Sequence, residues 1–376
     1  MRPRPIRTAI IGTGMIAAVH ARAVRAAGGE IVGFLGSRAG RAKHLAAQWD
    51  AAEFVDLKAL LGADVDLVQV CTPNSTHVAY SKASLRSGKH VICEKPLATS
   101  VKDAEQLADL AISSNLVATV PFVYRYHPII RELRARRIGG EFGDWNALHG
   151  SYTQDWLLHP GAGNWRVDDK AGGASRAFAD IGSHWCDLVE FVSGERIAST
   201  SAVFSTAFPN RPVRSTAAFA QGQASTWWAP VRTEDIAIAT FITSNGVPAN
   251  VIVSQVAAGR RNRLWFELDG SKGSAAFDQE NPETAWLGGL DGVRITARGT
   301  QPLSPDQSRL SYLPAGHAQG YQDCFNAFVA DTFSAIRGTR PEGLPDFTDG
   351  VRATRVIDAV ARSSASRAWT DVAGTA

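Results

Sequence analysis

Three side chains in the sequence have types and spacing suited to proton transfer: Lys95, Asp180 and His184. Lys95 follows a predicted strand, and the carboxyl ends of parallel strands face the crevice where ligands bind. A partly desolvated lysine can lower its pKa and hold or relay a proton. Asp180 and His184 are four residues apart, so on a helix they share one face. His184 is then a candidate general base, and Asp180 can orient it or bind a substrate hydroxyl.

The segment from Gly12 to Ala17 has the pattern Gly-x-Gly-x-x-Ala, follows an apolar run and opens a helix. Gly12 makes a tight turn, Gly14 lets the backbone approach a pyrophosphate, and Ala17 lets helix and strand pack closely. The helix start, with Met15 and Ile16, offers unpaired N–H groups and a positive dipole end to phosphates. The pattern predicts a dinucleotide site.

The elements that position these residues alternate in type over the first third of the chain. Such alternation predicts a parallel sheet covered on both faces, which with the glycine pattern indicates an α/β Rossmann domain over residues 1–123. The predicted strands cover 8–11, 30–36, 66–71, 90–93 and 116–122, and the predicted helices cover 15–27, 41–49, 77–87 and 101–113.

Residues 124–376 show a different pattern, which predicts an α+β domain with one large, mostly antiparallel, open sheet for substrate binding and oligomerisation. The most loop-like stretches are 209–228 and 300–315, and the last helices can pack back on the first domain. The predicted strands cover 144–153, 199–208, 234–243, 247–256, 263–269 and 292–297, and the predicted helices cover 128–137, 181–192, 319–337 and 349–364.

Length and composition agree with a two-domain protein of the cytoplasm. A chain of 376 residues exceeds the size at which single cores stop growing. The net charge of +3 gives no reason to expect nucleic acid or an anionic membrane as a partner. The N-terminus lacks a signal-peptide pattern, and no apolar run is long enough to span a bilayer. The four cysteines are scattered, as expected of reduced thiols: Cys71, Cys93, Cys186 and Cys324.

The turn after the second predicted strand bears on the choice between NAD and NADP. An enzyme committed to NAD usually places an acidic residue here to bind the ribose 2′-hydroxyl, and residues 36–41 contain none. Ser37 can hydrogen-bond a 2′-phosphate, and Arg38 or Arg41 can pair with it, which favours NADP. Arg38 can equally lie on the adenine without discriminating, and a solvated basic turn is the third interpretation.

Two further pairs of segments show a family resemblance. The segments 71–74 (Cys-Thr-Pro-Asn) and 91–96 (Val-Ile-Cys-Glu-Lys-Pro) are followed by Gly-Gly-Ala at 172–174 and by Asp-x-x-x-His at 180–184. With the glycine pattern, the chain resembles the glucose–fructose oxidoreductase / inositol dehydrogenase (Gfo/Idh/MocA) family over essentially its whole length. Alone, the pair favours a helix-capping Asp180 and an unrelated buried His184; the upstream Glu-Lys-Pro favours catalysis.

The resemblance implies an NAD- or NADP-dependent sugar or polyol dehydrogenase that needs no metal and assembles as a homodimer or homotetramer. It implies that the nicotinamide faces the second domain, with Glu94 and Lys95 beside the ring. The residues that it places along the cofactor ribose and nicotinamide are Thr72, Pro73, Asn74 and His77. Two other outcomes stay open: a lyase or glycosidase that uses tightly bound NAD transiently, and a non-catalytic dinucleotide-binding regulator.

Substrate residues are expected before and after the Gly-Gly segment, because sugars are bound by aromatic faces and by polar groups that fork onto hydroxyls. By resemblance, Trp165 and Arg166 border the active site, where they contact cofactor and substrate. Weaker candidates are Tyr152 and Trp156, either of which is equally a core residue, and then Arg125 and Tyr321. The family often has Asn two residues before the arginine at 125; here that residue is Val123, so the substrate cannot be copied from one relative.

Overall fold

The computed structural model describes residues 4–212, 228–300 and 303–374, and the chain divides into two compact units. The first unit comprises Met1–Val123 and Tyr321–Thr354, and the second comprises Tyr124–Gly320 and Arg355–Ala376. The segment Tyr321–Thr354 thus belongs to the first unit although it comes late in the chain. Among the described residues, every helix is too short or too polar to cross a membrane.

The first unit contains a six-stranded parallel sheet in the order β3-β2-β1-β4-β5-β6. The predicted Rossmann arrangement is therefore confirmed. Because the strand order reverses between β1 and β4, the loops after these two strands border the crevice where ligands bind. In chain order the elements are β1 (Arg7–Ile11), α1 (Met15–Ala26), β2 (Glu30–Leu35), α2 (Lys43–Gln48), β3 (Ala52–Phe54), α3 (Leu57–Gly62), β4 (Leu67–Val70), α4 (His77–Arg86), β5 (His90–Cys93), α5 (Val101–Ser113) and β6 (Ala118–Thr119).

The second unit is built on a nine-stranded sheet in the order β16-β15-β14-β13-β7-β12-β11-β8-β17. The pairing of β12 with β7 is parallel and the others are antiparallel, which confirms the mostly antiparallel sheet. The elements are α6 (Pro128–Ile138), β7 (Trp145–Thr153), α7 (Asp169–Gly172), α8 (Ser183–Ser193), β8 (Ile197–Ser205), β9 (Asn210–Pro212), β10 (Trp228–Pro230), β11 (Ile236–Thr243), β12 (Pro248–Ser254), β13 (Arg263–Gly270), β14 (Gly273–Asp278), β15 (Thr284–Gly289), β16 (Gly292–Ala297), α9 (Pro305–Leu310) and β17 (Thr370–Asp371). Of the two late helices, α10 (Tyr321–Ile336) lies in the first unit, and α11 (Phe347–Ser366) begins in the first unit and ends in the second.

The helix α8 packs on one face of this sheet through a fully buried tryptophan. Trp185 donates from its indole Nε1 to the carbonyl of Trp265, 3.0 Å away. The neighbouring residue on β7 is Gly150, where a Cβ atom would lie 2.5 Å from that indole nitrogen and 2.2 Å from the Trp265 oxygen. A glycine is therefore required for the helix to approach the strand this closely.

Several boundaries differ from the sequence predictions. The predicted strand at 116–122 is only β6, because Pro121 cannot donate to a ladder. The short elements β3 and α3 were not predicted. The loop-like stretch 300–315 contains α9, which Ser304 caps through the Gln307 amide. The stretch 209–228 begins and ends in the paired strands β9 and β10, and its residues 213–227 lie outside the described residues.

Candidate functional site

The loop between β1 and α1 has the geometry that a dinucleotide pyrophosphate requires. Gly12 has a φ of +128°, and a Cβ atom there would lie 2.2 Å from the carbonyl oxygen of Cys71. Gly14 is exposed, and a Cβ atom on it would meet nothing within 4 Å. It precedes Met15 without a side-chain cap on the helix, while Ala17 is fully buried against the sheet. The bare backbone at the helix start fits phosphate oxygens.

The neighbouring loops place the other predicted cofactor residues. Ser37 and Arg38 follow β2 and are exposed. Thr72, Pro73 and Asn74 follow β4 and are half-buried. These positions lie at the carboxyl ends of parallel strands, where a Rossmann domain binds its nucleotide.

His77 differs from this expectation, because its side chain is fully buried. Its Nδ1 lies 2.8 Å from the carbonyl oxygen of Pro96, and its Nε2 lies 2.9 Å from that of Thr72. Burial lowers the pKa of His77, although both carbonyl contacts oppose this. The ring thus joins the loop after β4 to the loop after β5, and we assign it to holding these loops rather than to lining the cofactor.

The loop after β5 contains the Glu94-Lys95-Pro96 segment, with a cis peptide bond between Lys95 and Pro96. Glu94 is buried; one of its oxygens lies 3.0 Å from Nε2 of His20, and the other accepts from the Lys95 amide at 3.2 Å. His20 is fully buried on α1, and its Nδ1 lies 2.7 Å from Oε1 of Gln69. Both ring nitrogens of His20 thus face acceptor oxygens, as an imidazolium requires. The loop that carries Lys95 is therefore supported by a buried ion pair between His20 and Glu94, which no sequence motif indicated.

This ion pair has a stability signature. Burial opposes charge on His20, but its contacts with Cys71 and Glu94 outweigh burial and raise the pKa of the imidazole. Burial also opposes charge on Glu94, but the contact with His20 outweighs it and lowers the pKa of the carboxyl group. A histidine whose pKa is raised on folding stabilises the folded state. This stabilisation is fully present below the pKa that the histidine has in the unfolded chain, and it is lost as the pH rises through the pKa of the folded state.

We expect His20→Gln to lower the free energy of unfolding by about 3–5 kcal/mol at pH 6, the usual loss when one partner of a buried ion pair is removed. The difference from the unsubstituted protein should shrink when denaturant unfolding is repeated at pH 9. His44→Gln, at an exposed histidine on α2, serves as the control and should change little at either pH. A loss at position 20 that grows with pH would contradict the charged pair.

In the second unit, Asp180 and His184 lie at the start of one continuous helical segment. Phe178–Gly182 forms a turn of π-helix, and α8 follows directly from Ser183. Single π turns of this kind often occur at functional sites. Oδ2 of Asp180 accepts from Nε2 of Gln255 at 2.9 Å, and Oδ1 lies 3.4 Å from Nε of Arg166.

Arg166 and Trp165 come from a 3-10 turn at Trp165–Val167 that Asn164 caps by accepting from the Arg166 amide at 3.0 Å. The guanidinium lies over the Trp165 ring, 4.6 Å from its centroid. The predicted pair Trp165 and Arg166 is therefore brought next to Asp180 within the second unit. A flat aromatic face and a charged donor then border one carboxylate, which suits a polyhydroxylated ligand.

Two tyrosines line His184, which is 9% exposed. Its ring centroid lies 5.0 Å from that of Tyr124 and 6.5 Å from that of Tyr152. The two tyrosine hydroxyls are 2.7 Å apart. The imidazole is thus packed against two tyrosine rings whose hydroxyls are hydrogen-bonded to each other. Asp180 lies one turn earlier on the same helical segment.

The tyrosine hydroxyls continue into an amide network formed by Tyr124, Tyr152, Gln154 and Asn262. Oδ1 of Asn262 accepts from the Tyr152 hydroxyl at 2.8 Å and from Nε2 of Gln154 at 2.7 Å. Oε1 of Gln154 accepts from the indole of Trp156 at 2.9 Å. Tyr152 is buried and Trp156 half-buried, so within this network Tyr152 is a supporting residue and Trp156 retains some exposed surface.

The two remaining candidates occupy other surroundings. Arg125 is buried, forms a bidentate ion pair with Asp187, and lies 4.9 Å from the centroid of Phe191. We therefore remove it from the proposed substrate contacts. Tyr321 is 40% exposed at the start of α10 in the first unit, with its ring edge against Phe325.

Sequence reasoning did not find Tyr124, Asn262 or Gln255. Tyr124 is adjacent to Arg125, and in this segment only the arginine was a predicted candidate. Asn262 follows two arginines and precedes β13, and the pairing of Leu264 with Tyr152 brings it to the tyrosines. Only strand register reveals that proximity, so no local signal was available.

Two family models match this chain. Residues 6–122 match the model of an oxidoreductase family with an NAD-binding Rossmann fold, and residues 130–276 match the C-terminal domain model of the same family. The fold and site thus define an NAD-binding oxidoreductase. The chain belongs to the Gfo/Idh/MocA family, which confirms the resemblance seen in the sequence.

Relatives with assigned names act on sugars. The chain is 31% identical to a levoglucosan dehydrogenase from Pseudarthrobacter phenanthrenivorans, covering 82% of this chain and 80% of the relative. It is 25% identical to a glucose-6-phosphate 3-dehydrogenase from Bacillus subtilis, covering 93% of each. A solved levoglucosan dehydrogenase in complex with NADH and levoglucosan has a TM-score of 0.88 and 26% identity, covering 98% of this chain and 99% of the other.

Proposed function

We propose that the protein is an NAD(P)-dependent dehydrogenase that transfers a hydride between a hydroxyl-bearing carbon of a sugar, sugar derivative or cyclitol and the nicotinamide. The observation that carries this proposal is the arrangement in the second unit, where Asp180 and His184 share a helical segment bordered by Arg166 and Trp165. The family match and the named sugar dehydrogenases support it.

Different residues of this chain have different roles in the proposed reaction. The bare backbone at Gly12 and Gly14 holds the dinucleotide phosphates, and the bound nicotinamide supplies the hydride chemistry. Oxidation of an alcohol releases the hydroxyl proton, which His184 takes up as general base. Asp180, one turn before His184 on the same helical segment, accepts a hydrogen bond from a substrate hydroxyl. Lys95, whose backbone amide is fixed by Glu94, donates a hydrogen bond to the reacting oxygen, while the released proton itself goes to His184.

The substrate that we propose is a neutral sugar. Phosphate recognition usually needs basic side chains that are not matched by acids. Among the described residues around Asp180, Arg166 pairs with that carboxylate and Arg261 lies 3.0 Å from Asp155. These two arginines are thus each paired with a carboxylate, while Trp156 and Trp165 offer aromatic surface to sugar C–H groups. Levoglucosan or a simple glucoside fits this balance better than glucose 6-phosphate.

A substrate panel tests the function and the substrate class together. Levoglucosan, methyl glucosides, inositols and glucose 6-phosphate are supplied with NAD and with NADP, and the nicotinamide absorbance is followed. We expect reduced cofactor to accumulate with a neutral sugar at a clearly higher kcat/KM than with glucose 6-phosphate. Cofactor that copurifies with the protein and never turns over in bulk solution would instead indicate transient redox chemistry or a regulator.

We further propose that the enzyme accepts NADP as well as NAD, because Ser37 and Arg38 are exposed and residues 36–41 contain no acid. A charge-assisted hydrogen bond from Arg38 to a 2′-phosphate contributes about 1.5–3 kcal/mol. Arg38→Ala should therefore lower kcat/KM for NADP by about tenfold or more, with little effect on NAD. Arg22→Ala, at an exposed arginine on α1, is the control. Equal losses with both cofactors would mean that Arg38 lies on the adenine.

We propose a homo-oligomer that buries the open face of the second unit's sheet. Ile238 pairs with Val203 and with Ile252 across three strands, and their exposed fractions are 44%, 65% and 44%. Such an apolar row favours burial against a second copy. Ile238→Glu should shift the mass measured by light scattering toward the monomer, whereas Ile112→Glu on α5 should not. A monomeric unsubstituted protein would refute this interface.

A further inference from the structure

Two consecutive carboxylates immediately before β11, Glu234 and Asp235, are almost completely removed from solvent. Their exposed fractions are 2% and 0%. Buried carboxylates are costly unless hydrogen bonds and opposite charges compensate them. Neither residue belongs to the site described above, so the groups that compensate them show what the two carboxylates hold in place.

Glu234 binds the start of the helical segment that carries Asp180. Its carboxylate accepts from the Ser175 hydroxyl at 2.8 Å, from the Arg176 amide at 3.0 Å and from the Phe178 amide at 2.8 Å. Phe178 is the first residue of the π turn. The first amides of a helical segment have no partner within the helix, so a carboxylate at this position fixes where the segment begins.

Asp235 binds a second part of the site through two arginines. It forms ion pairs with the guanidiniums of Arg176 and Arg211, the latter at 2.9 Å. Burial opposes its ionisation, but Arg176 and Arg211 outweigh that effect and lower the pKa of Asp235. Arg211 also donates to the carbonyl oxygens of the loop between Trp156 and Trp165: Leu157 at 2.8 Å, His159 at 3.2 Å and Ala162 at 3.2 Å.

A third connection runs through the backbone. The carbonyl oxygen of Asp235 accepts from the Gln255 amide at 3.0 Å, and the side chain of Gln255 donates to Asp180 at 2.9 Å. Glu234 and Asp235 therefore fix the start of the Asp180 segment, a hydrogen-bond partner of Asp180, and the loop between the two tryptophans.

We propose that Glu234 and Asp235 are positioning residues for the oxidation, which set the place of Asp180, Trp165 and Arg166 without touching the substrate. This inference rests on the proposed dehydrogenase function. A purely structural role would affect folding and cofactor use together. A positioning role lowers turnover in a protein that is folded and binds its dinucleotide normally.

Glu234→Gln tests the proposal, because glutamine has nearly the same volume but loses the negative charge and places an N–H donor where the second carboxylate oxygen accepts from the Arg176 amide at 3.1 Å. Misplacement of about 1 Å can cost about 10²-fold in rate. We expect kcat with the sugar to fall by about 10- to 100-fold, while the NADH dissociation constant, read by fluorescence titration, changes less than about twofold.

Glu190→Gln is the matched control. Glu190 is also a buried carboxylate of the second unit that accepts from a backbone amide and an arginine, those of Ile197 and Arg196, outside the connections described above. It should leave kcat within about twofold of the unsubstituted enzyme. An unchanged kcat in folded Glu234→Gln, or an equal fall in both variants, would overturn the proposal.

If Glu234→Gln does not fold, Gln255→Met replaces it, since this change removes one donor to Asp180 and keeps the volume. The same fall in kcat is expected, and an unchanged kcat would overturn the proposal. If the unsubstituted protein oxidises no sugar, the proposed function fails by itself. Hydrogen exchange then tests positioning separately: amides at 178–184 should exchange faster in Glu234→Gln than in Glu190→Gln, and equal rates would overturn it.

Discussion

Replacing Lys95 by alanine should lower kcat by about 10²- to 10⁴-fold, the usual contribution of a positioned acid–base group. The side chain follows β5 at the carboxyl edge of the parallel sheet, and Glu94 fixes its backbone amide. Alanine removes the ammonium group but keeps the loop, because the His20–Glu94 pair and the His77 contacts do not involve the Lys95 side chain. The NADH dissociation constant should therefore stay within about threefold, measured by fluorescence titration.

Two comparisons make this result specific. Lys89→Ala removes a lysine from the same unit, one that donates to the Ala63 carbonyl, and it should leave kcat unchanged. Lys95→Met keeps the length of the side chain without its charge, and it should behave like the alanine variant. Retention of more than about a tenth of the activity in both Lys95 variants would remove this lysine from the mechanism.

His184→Asn is expected to lower kcat by about 10²- to 10⁴-fold, and Asp180→Asn by a smaller factor. Asparagine at 184 fits between the tyrosines but cannot accept a proton near neutral pH. Asparagine at 180 keeps a contact with Gln255 and loses the charge facing Arg166. If the two residues act as a unit, the double variant should be hardly slower than His184→Asn, because losses within one catalytic unit are not additive.

The chain offers a matched control for this second prediction. His149 and Asp269 form another histidine–aspartate pair in the same unit, with Nε2 and Oδ2 3.4 Å apart and both side chains more than a third exposed. His149→Asn should leave kcat within about twofold. Strictly additive losses at 180 and 184, or a comparable loss at 149, would contradict a cooperating pair.

The sequence predicted best those elements whose boundaries have local causes. Both α5 and β5 were predicted residue for residue. The start of α5 is marked by Ser100, which accepts from the Asp103 amide at 3.1 Å, and β5 is a short apolar run. The hairpin of β14 and β15 was missed, because small residues such as Ala275, Ala276 and Gly288 give a weak alternation.

The residues of the candidate site likewise fall into those with a local sequence signal and those without one. Gly12, Lys95, Asp180 and His184 belong to short motifs with their own chemistry, so they can be proposed as site residues from the sequence alone. The acidic residues at 234 and 235 lie within a predicted strand, and nothing local shows that their partners are residues 175–178 and Arg211. Burial and pairing between distant segments decide such roles, and only the folded chain displays them.

The close contact between Gly150 and Trp185 has a consequence for how this enzyme can diversify. His184, the proposed base, precedes this tryptophan, so its position is set by the close packing of α8 against β7. In residues 158–163, by contrast, Arg211 holds the carbonyl oxygens of His159 and Ala162, and a carbonyl group is the same for every side chain. Substitutions of side chains in that loop can therefore change the preference for one sugar over another, in evolution or by engineering, while the position of the proposed base is unchanged.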